Sequence, residues 1–294
     1  MYIAIYESRN MISHKCLGSS NVESFMRNIY IIILKILYFE VCGYMETKEV
    51  LEIALLSGEI LLVSGAEVYR VEETIKRISD SYNVNCECFV MPTGIFVSSN
   101  GNGDGFVSYV RRIKERSMDL HKIELINSFS RKISEDPLGY NEAMKELEYI
   151  QNGPYFKFPL MLVAAGMTAF VYALLFKGTL FEALIAFVIS VAIFAFQTKS
   201  KNAGFQFLQL LIAGMLAGGV SIGMKKIFPV LNIDKIIIGS IMILVPGVAI
   251  TNSIKDALYG DIVSSLSRMG EAIFIATAVG IGVAIMLLFG TRWV

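Results

Sequence analysis

The chain has 294 residues, of which 54% are hydrophobic and 18% charged, and its mean hydropathy is +0.58. A sequence this apolar excludes an ordinary soluble globular protein of the same length. The formal net charge of zero excludes a nucleic-acid-binding protein that depends on a concentrated basic surface, because such a surface is needed to displace counterions from phosphates. We therefore expect a protein that is at least partly embedded in a membrane.

Charge divides the sequence into parts. Charged residues concentrate in residues 46–157, and nearly everything after Phe158 is apolar. This change predicts an extension over 1–44, an α+β soluble domain over 45–157 and a transmembrane domain over 158–294. The charged domain carries unpaired cysteines and follows no cleavable signal, so we expect it on the cytoplasmic side of the cell membrane.

The end of the extension is apolar without being a clear span. Lys35 and Glu40 interrupt the segment Asn28–Met45, and its uncharged run is short for a membrane helix. The segment is compatible with a peripheral helix, with a poor sixth span, or with an extension created by the choice of start codon. We favour the last interpretation, because Met45 opens a sequence that would serve as a natural N-terminus.

The α+β domain begins with a helical pattern. Its apolar residues recur at helical spacing, with Gly58 and Gly65 as weak points in a long helix or a helix pair. Helical patterns return over 117–134 and 138–150. These helices are expected to flank a small sheet.

Residues 85–113 predict that sheet, because they alternate in polarity or are β-branched and aromatic. Within them, "NGNGDG" has the composition of a tight turn. Its oxygen-bearing side chains resemble the start of a calcium loop, but Arg111 stands where such a loop needs a bidentate glutamate. A hairpin turn is therefore the better interpretation.

Neither a metal nor a cofactor is predicted. The sequence shows no pair of metal ligands at a recognised spacing, no nucleophile motif and no phosphate loop. It therefore gives no support for an enzyme. The cysteines and histidines considered as ligands are Cys16, Cys42, Cys86, Cys88, His14 and His121.

The stretch "GAEVYRVEETIKRI" is dense in charge. On a helix, Glu67, Arg70 and Glu73 are spaced to form ion pairs along one face. The preferred interpretation is a solvated helix face. A functional interpretation requires Arg70 or Glu72 to face the inner mouth of the membrane domain.

Five apolar segments follow Phe158, each close to the ~20 residues that a helix needs to cross about 30 Å of hydrocarbon. The distribution of lysine and arginine does not orient them. Their orientation follows from the cytoplasmic domain, which places the C-terminal "TRWV" outside. The predicted spans are Pro159–Phe176, Leu180–Phe196, Ala203–Met224, Ile236–Ile254 and Met269–Phe289.

Two of these spans carry small residues at four-residue spacing, a pattern that lets helices approach closely in a membrane. We expect these residues to pack against other helices and not to form a site. They are Gly214, Gly218, Gly219 and Gly223 in the third span and Ala276, Gly280 and Ala284 in the fifth.

The fourth span is interrupted near its middle by Pro246-Gly247. A proline removes a backbone hydrogen bond, and in lipid the freed carbonyl needs a partner from protein, water or ligand. Transporters use such broken helices to bind substrates near the bilayer midplane. The alternative is a proline kink followed by an ordinary interfacial cap. Two polar stripes lie downstream of the break, formed by Thr251 with Lys255 and by Asn252 with Asp256.

Carboxylates near the last two spans are candidate proton carriers. Glu271 follows the start of the fifth span, where a carboxylate enters a low-dielectric region and ionisable groups usually serve function. Asp256 and Asp261 belong to the same set. Glu182 in the second span is a weaker candidate, because it lies near a helix end.

Three blocks carry a resemblance to a known family. "SGAEVYRVEETIKRI", "FVMPTGIFVS" and "VPGVAITNSIKDALYGDIVSSLSRMGEA" resemble, in this order, the threonine/serine exporter family, and the resemblance runs from about Met45 to the C-terminus. It implies a proton-driven exporter with a cytoplasmic N-terminal domain. Members of the family occur as one long chain or as two proteins, and this chain resembles the longer partner of a split pair. A short membrane-only subunit is the implied partner.

The resemblance and the residues together favour a subunit that exports threonine or serine under the proton motive force. Succinate or a related dicarboxylate is the alternative substrate, and a membrane-anchored ligand sensor is the alternative of another class. The candidate translocation residues are Pro246, Gly247, Thr251, Asn252, Asp256, Asp261 and Glu271. The candidate motif of the cytoplasmic domain is Gly65, Glu67, Arg70, Glu72, Pro92, Thr93 and Gly94, and the resemblance adds Ala66, Val71 and Gly260.

Overall fold

The computed structural model describes residues 45–101, 105–114, 116–153, 156–200 and 204–290. Thr47–Val294 belong to one compact unit, and the description below concerns that unit. The extension 1–44 and the middle of "NGNGDG" lie outside the described residues. The predictions made for them therefore rest on the sequence alone.

The N-terminal segment, residues 47–153, combines helices with a three-stranded sheet. The sheet is antiparallel in the order β1-β2-β3, and it pairs Phe89 with Phe96 and Phe96 with Val110. Val90 and Ile95 point to the buried face, which the first two helices cover. The elements are α1 (Thr47–Val63), α2 (Val68–Ser81), β1 (Cys86–Met91), β2 (Gly94–Gly101), β3 (Gly105–Arg112), α3 (Leu120–Glu135) and α4 (Tyr140–Asn152).

The turn between α1 and α2 is formed at Gly65. Its φ of +85° lies in the left-handed region that favours glycine, so the helix ends here. Gly58, the other predicted weak point, lies inside α1, and a Cβ there would come within 2.7 Å of the side chain of Ile75 in α2. Gly58 therefore permits close packing of the two helices, and Gly65 forms the turn at which the chain changes direction.

The membrane segment begins at Phe158. Four of its helices are long and apolar enough to cross a membrane, and a fifth span arises if the pair bent by 57° at Pro246 is counted as one. The predicted helical membrane architecture is thus confirmed, and among the described residues four of the five predicted spans are single helices. The elements are α5 (Phe158–Leu175), α6 (Leu180–Ser200), α7 (Gln206–Ile227), α8 (Ile233–Ile241), a 3₁₀ turn (Met242–Leu244), α9 (Gly247–Leu258) and α10 (Ile262–Gly290).

The last helix starts earlier than predicted. The helix begins at Ile262 and contains the predicted span Met269–Phe289, and the side chains of Ser264 and Arg268 in its added first turns are buried inside the protein. Apolarity marks the part of a helix that lipid covers. A prediction from apolarity therefore does not include the first turns of α10.

Small residues bring α7 and α10 together. A Cβ on Gly214 would come within 2.4 Å of the Val279 carbonyl oxygen, and one on Gly282 within 2.2 Å of that of Leu211. The close packing predicted for the third span is present at this contact. The stripe predicted in the fifth span does not pack against other described residues of the chain, because it lies on the exposed face of α10. Its members are Ala276, Gly280 and Ala284.

Candidate functional site

The turn before α2 is held by side chains from α9 and α10. Asn252 Nδ2 donates to the Gly65 carbonyl at 2.8 Å, and Arg268 Nη2 donates to the Ala66 carbonyl at 2.6 Å. The Val68 amide donates to Asp256 Oδ1 at 3.1 Å. Backbone groups at helix ends lack partners within the helix, and here the broken span supplies them. Two blocks of sequence that lie nearly 200 residues apart thus form one structure.

Asp256 and Arg268 form the centre of this contact. Arg268 Nε lies 3.0 Å from Asp256 Oδ2, and the two side chains are 5% and 0% exposed. The two atoms do not align as a hydrogen bond, so the contact is an ion pair supported by the backbone bonds at Ala66 and Val68. Removing one partner of such a buried pair leaves an uncompensated charge, which typically costs about 3–5 kcal/mol.

Glu67 bridges two cations at the edge of the contact. Its Oε1 accepts from Lys255 Nζ at 2.9 Å, and its Oε2 lies 2.9 Å from Arg70 Nε. Burial raises the pKa of Glu67, but the hydrogen bond from Lys255 and the charges of Arg70 and Lys255 outweigh burial and leave the pKa below its ordinary value. The side chain is only 8% exposed, so the interpretation as a solvated helix face is wrong for Glu67.

Two further contacts flank the polar centre. The rings of Tyr69 and Tyr259 stack with centroids 3.9 Å apart and planes at 20°. Arg116 Nη2, just before α3, donates to Glu271 Oε2 at 2.6 Å. Glu271 is therefore paired at the junction with the N-terminal segment and does not lie alone among lipid-facing residues.

A cavity of about 440 Å³ opens beside Glu67, in the size range of small-molecule sites. It lies where the N-terminal segment meets the break in the fourth span. Charged groups, a hydroxyl, an amide and the start of α9 surround it, with two apolar side chains from α3. The lining residues are Gly65, Glu67, Arg70, Leu120, Ile123, Gly247, Val248, Thr251, Asn252 and Lys255.

The break at Pro246 shapes one wall of this cavity. Pro246 immediately precedes α9 with φ −80° and ψ 53°, and the Gly247 amide donates back to the Val245 carbonyl at 2.8 Å. The amides in the first turn of a helix have no partner within it, and the helix dipole makes this end positive. The start of α9 therefore presents an electropositive surface to the cavity. Thr251 lies one turn further along and is exposed.

Several predicted residues lie away from the cavity. Glu72 Oε1 accepts a hydrogen bond from the Val90 amide at 3.1 Å. Burial raises the pKa of Glu72, the hydrogen bond from Val90 lowers it, and the negative charge of Asp261 raises it further. The pKa of Glu72 therefore lies above its ordinary value. Asp261 precedes α10, where its amide donates to the Asp256 carbonyl at 2.9 Å. Pro92, Thr93 and Gly94 form the β1–β2 turn, in which the Thr93 carbonyl accepts from Ile113.

Glu182, the weaker candidate, joins two helix ends. Its carboxylate accepts from the Thr179 amide and from the Asn232 amide, each at 2.7 Å, and the residue is 3% exposed. It therefore supports the starts of α6 and α8, and it does not line the cavity described above.

Sequence reasoning missed Arg268 as a site residue. An ionisable residue inside a helix that continues into a span is itself a signal of function, and this signal could have identified Arg268. Lys255 was recognised as part of a polar stripe but not as a partner of Glu67. The stacking of Tyr69 on Tyr259 has no signal in the local sequence.

Together these features define a multi-pass helical membrane protein with a polar cavity beside a bent helix pair, and broken helices of this kind are common in membrane transporters. Residues 52–290 match the model of the family described as "Putative threonine/serine exporter". The chain belongs to this family, as the sequence blocks predicted. The family is one of transporters and not of enzymes.

Two relatives are similar to the chain. It is 23% identical over 248 residues to the "Probable threonine/serine exporter" of Mycobacterium tuberculosis, a match that covers 83% of this chain and 46% of the relative. It is also 23% identical over 252 residues to the "Probable succinate transporter subunit YjjP" of Klebsiella aerogenes, covering 84% of this chain and 96% of the relative. The chain thus spans less than half of the first relative. No solved structure gives a significant match.

Proposed function

We propose that the chain is a subunit of a secondary transporter that exports a small polar metabolite, with threonine or serine as the first candidate. The observation that carries this proposal is the charged cavity at the break of the fourth span. Broken helices in transporters direct the positive ends of half-helices at anionic substrate groups. In this cavity the start of α9, Arg70 and Lys255 form the wall that would receive a substrate carboxylate, and Thr251 offers a hydroxyl.

A dicarboxylate such as succinate is the second candidate. Two cations, Arg70 and Lys255, line the cavity. They can bind the two carboxylates of a dicarboxylate, one each, or together bind both oxygens of a single carboxylate. The relative named as a succinate transporter subunit matches this chain over nearly its whole length. The substrate assay below therefore includes both classes.

We propose a short membrane-only subunit as the partner. The relative that this chain covers almost fully is named a subunit. Counting the bent pair at Pro246 as one span gives five spans, and an odd number suits one half of a transporter in which two oppositely inserted halves enclose the pathway. The N-terminal segment contacts the α9–α10 connection, so both lie on one side of the bilayer, and we propose that this side is cytoplasmic and that the segment is a soluble domain.

For proton coupling we propose the set Asp256, Asp261 and Glu271. Asp256 is bound to Arg268 and to the Val68 amide, so it can exchange a proton only when that contact opens. Glu271 must likewise leave Arg116. Proton transfer in this scheme is tied to movement of the N-terminal segment away from the broken span.

Efflux from preloaded cells tests the function. Labelled threonine and labelled succinate are measured with this chain alone, with a short candidate partner alone and with both, with and without a proton ionophore. We expect ionophore-sensitive efflux of one substrate when both chains are present. Absence of flux in every combination, with membrane insertion verified, would contradict the proposal.

A further inference from the structure

The Glu67 carboxylate lies behind the two cations of the cavity, Arg70 and Lys255, on the side away from the open space. Its side chain is 8% exposed, whereas those of Lys255 and Arg70 are 44% and 34% exposed. Each of its two oxygens is close to one of these cations, at 2.9 Å. The cations therefore remain accessible from the cavity, while the carboxylate that neutralises them is withdrawn from it.

The cavity has more positive than negative character. One carboxylate lies between two cations, and the start of α9 adds the positive end of a helix dipole at Gly247. Arg70 Nε makes no aligned hydrogen bond to Glu67, although it lies within ion-pair distance. That nitrogen is itself buried, so an added carboxylate would meet the exposed parts of the Arg70 and Lys255 side chains, which are 34% and 44% exposed, in about 440 Å³ of space.

Glu67 also belongs to the turn that attaches the N-terminal segment to the broken span. The residue before it, Ala66, accepts from Arg268, and the residue after it, Val68, donates to Asp256. Together with the bond from Asn252 to the Gly65 carbonyl, these are four adjacent contacts, and moving the Glu67 side chain away from its cations removes one of them. Loss of that contact would weaken the attachment that keeps Asp256 and Arg268 enclosed.

We propose that the Glu67 carboxylate is an internal substitute for the carboxylate of the transported solute. Binding of a carboxylate-bearing solute to Arg70 and Lys255 displaces Glu67 and loosens the turn from α9 and α10. The inference rests on the site of the proposed function and specifies how that site is regulated. It makes the N-terminal segment a gate that the substrate itself opens.

Direct binding to the purified full chain tests this inference. Equilibrium dialysis with labelled succinate and labelled threonine compares the unmodified chain with Glu67→Gln, and Glu73→Gln serves as the matched control. Glu73 lies on the same helix, is 59% exposed, and pairs with Arg77 outside the cavity. Removing the internal competitor should tighten carboxylate binding about tenfold or more, since hydrogen bonds between charged groups are strong. Glu73→Gln should leave binding unchanged.

A second variant protects the test against loss of folding. Glu67→Asp keeps the charge but is too short to reach both cations in the same way, so it should tighten binding to a smaller degree. It decides the test if the melting temperature shows that Glu67→Gln does not fold. Replacing Arg70 and Lys255 by glutamine in either background should abolish the gain.

Equal or weaker binding of both solutes by folded Glu67 variants would overturn the inference. Weaker binding of threonine with unchanged binding of succinate would also overturn it, and would show that Glu67 holds the substrate's ammonium group. If either result accompanies measurable efflux, the proposed function stands without the gate. Tighter binding without efflux from any combination of chains supports Glu67 as an internal competitor for a bound carboxylate and contradicts the transport function.

Discussion

Asp256 combines two tasks that are usually separate. Its carboxylate caps the start of α2 through the Val68 amide, where a negative charge is favoured by the helix dipole, and it also neutralises Arg268 inside the protein. Its full burial means that neither task is shared with solvent. A change at this one position therefore affects the N-terminal segment and the membrane segment together.

Asp256→Asn is expected to lower the free energy of unfolding by about 3–5 kcal/mol, because Arg268 would remain charged and buried without a counterion. Adding Arg268→Gln should recover part of the loss. Thermal unfolding of the detergent-solubilised chain measures both. Glu146→Gln is the control, since its pair with Lys132 is exposed and contributes at most about 1 kcal/mol. Equal effects of Asp256→Asn and Glu146→Gln would contradict the buried ion pair.

Glu67 and Glu72 are expected to respond to pH in opposite directions. The pKa of Glu67 is lowered in the folded protein, so its contribution to stability is full above its ordinary value of 4.5 and is lost as pH falls through the lower folded pKa. The pKa of Glu72 is raised, so its contribution is full below 4.5 and is lost as pH rises through the folded pKa.

Glu67→Gln should therefore lower the melting temperature at neutral pH, by an amount equivalent to about 1–3 kcal/mol, and the difference should shrink in acid. Glu72→Gln should cause no loss at neutral pH, because glutamine can still accept from the Val90 amide without an ionised carboxylate. Melting curves of the two variants over a pH series decide this. A Glu67→Gln deficit that grows as pH falls would refute the assignment.

At the scale of elements, glycines set how closely α7 and α10 approach. Gly282 faces the backbone of α7, whereas a Cβ on Gly280, two residues earlier, would meet nothing within 4 Å. The pair offers a matched comparison within one helix, with the same substitution and the same helix propensity. Only the packed position should be sensitive.

Gly282→Ala should destabilise the chain by about 1–3 kcal/mol or prevent folding, since a Cβ at 2.2 Å from the Leu211 carbonyl oxygen forces the helices apart. Gly280→Ala should be neutral or slightly stabilising. The yield and melting temperature of monodisperse protein in detergent measure the difference. Similar behaviour of both variants would show that α7 and α10 are not packed as described.

The sequence predicts elements where the signal is local. The helix break at Pro246, the small sheet over 85–113 and the weak point at Gly65 all follow from residues within a few positions of each feature. It does not predict which face of α10 is packed, because both faces are apolar and both carry small residues. The sequence therefore predicts packing at the stripe that begins with Ala276, whereas the structure has the contact at Gly282.

The candidate site could be predicted only in its parts. The sequence identifies the polar stripe of Asn252 and Asp256 and the charged motif around Arg70, but nothing local indicates that they meet. That contact depends on how the N-terminal segment sits on the membrane segment. Arg268 is an example: the local sequence shows only a charged residue, and the structure shows that it forms a buried ion pair with Asp256.

At the scale of the whole molecule, a charged N-terminal segment and an apolar helical segment enclose a cavity that neither would form alone. The chain belongs to the family described as putative threonine/serine exporters, and the cavity is the place that we propose for the substrate. Movement of the N-terminal segment would both open the cavity and release the carboxylates proposed for proton coupling. In the proposed mechanism, binding, gating and coupling are thereby linked through one contact.

Substrate protection of a cysteine in the cavity tests this account most directly. Thr251→Cys lines the cavity, and Leu258→Cys on the same helix is 80% exposed and lies outside it; both are introduced after the four native cysteines are replaced by serine. Maleimide labelling is measured in membranes that show efflux, with and without the exported substrate. The account predicts that the substrate slows labelling at 251 and not at 258. Unchanged labelling at 251 at a substrate concentration that saturates efflux would contradict it.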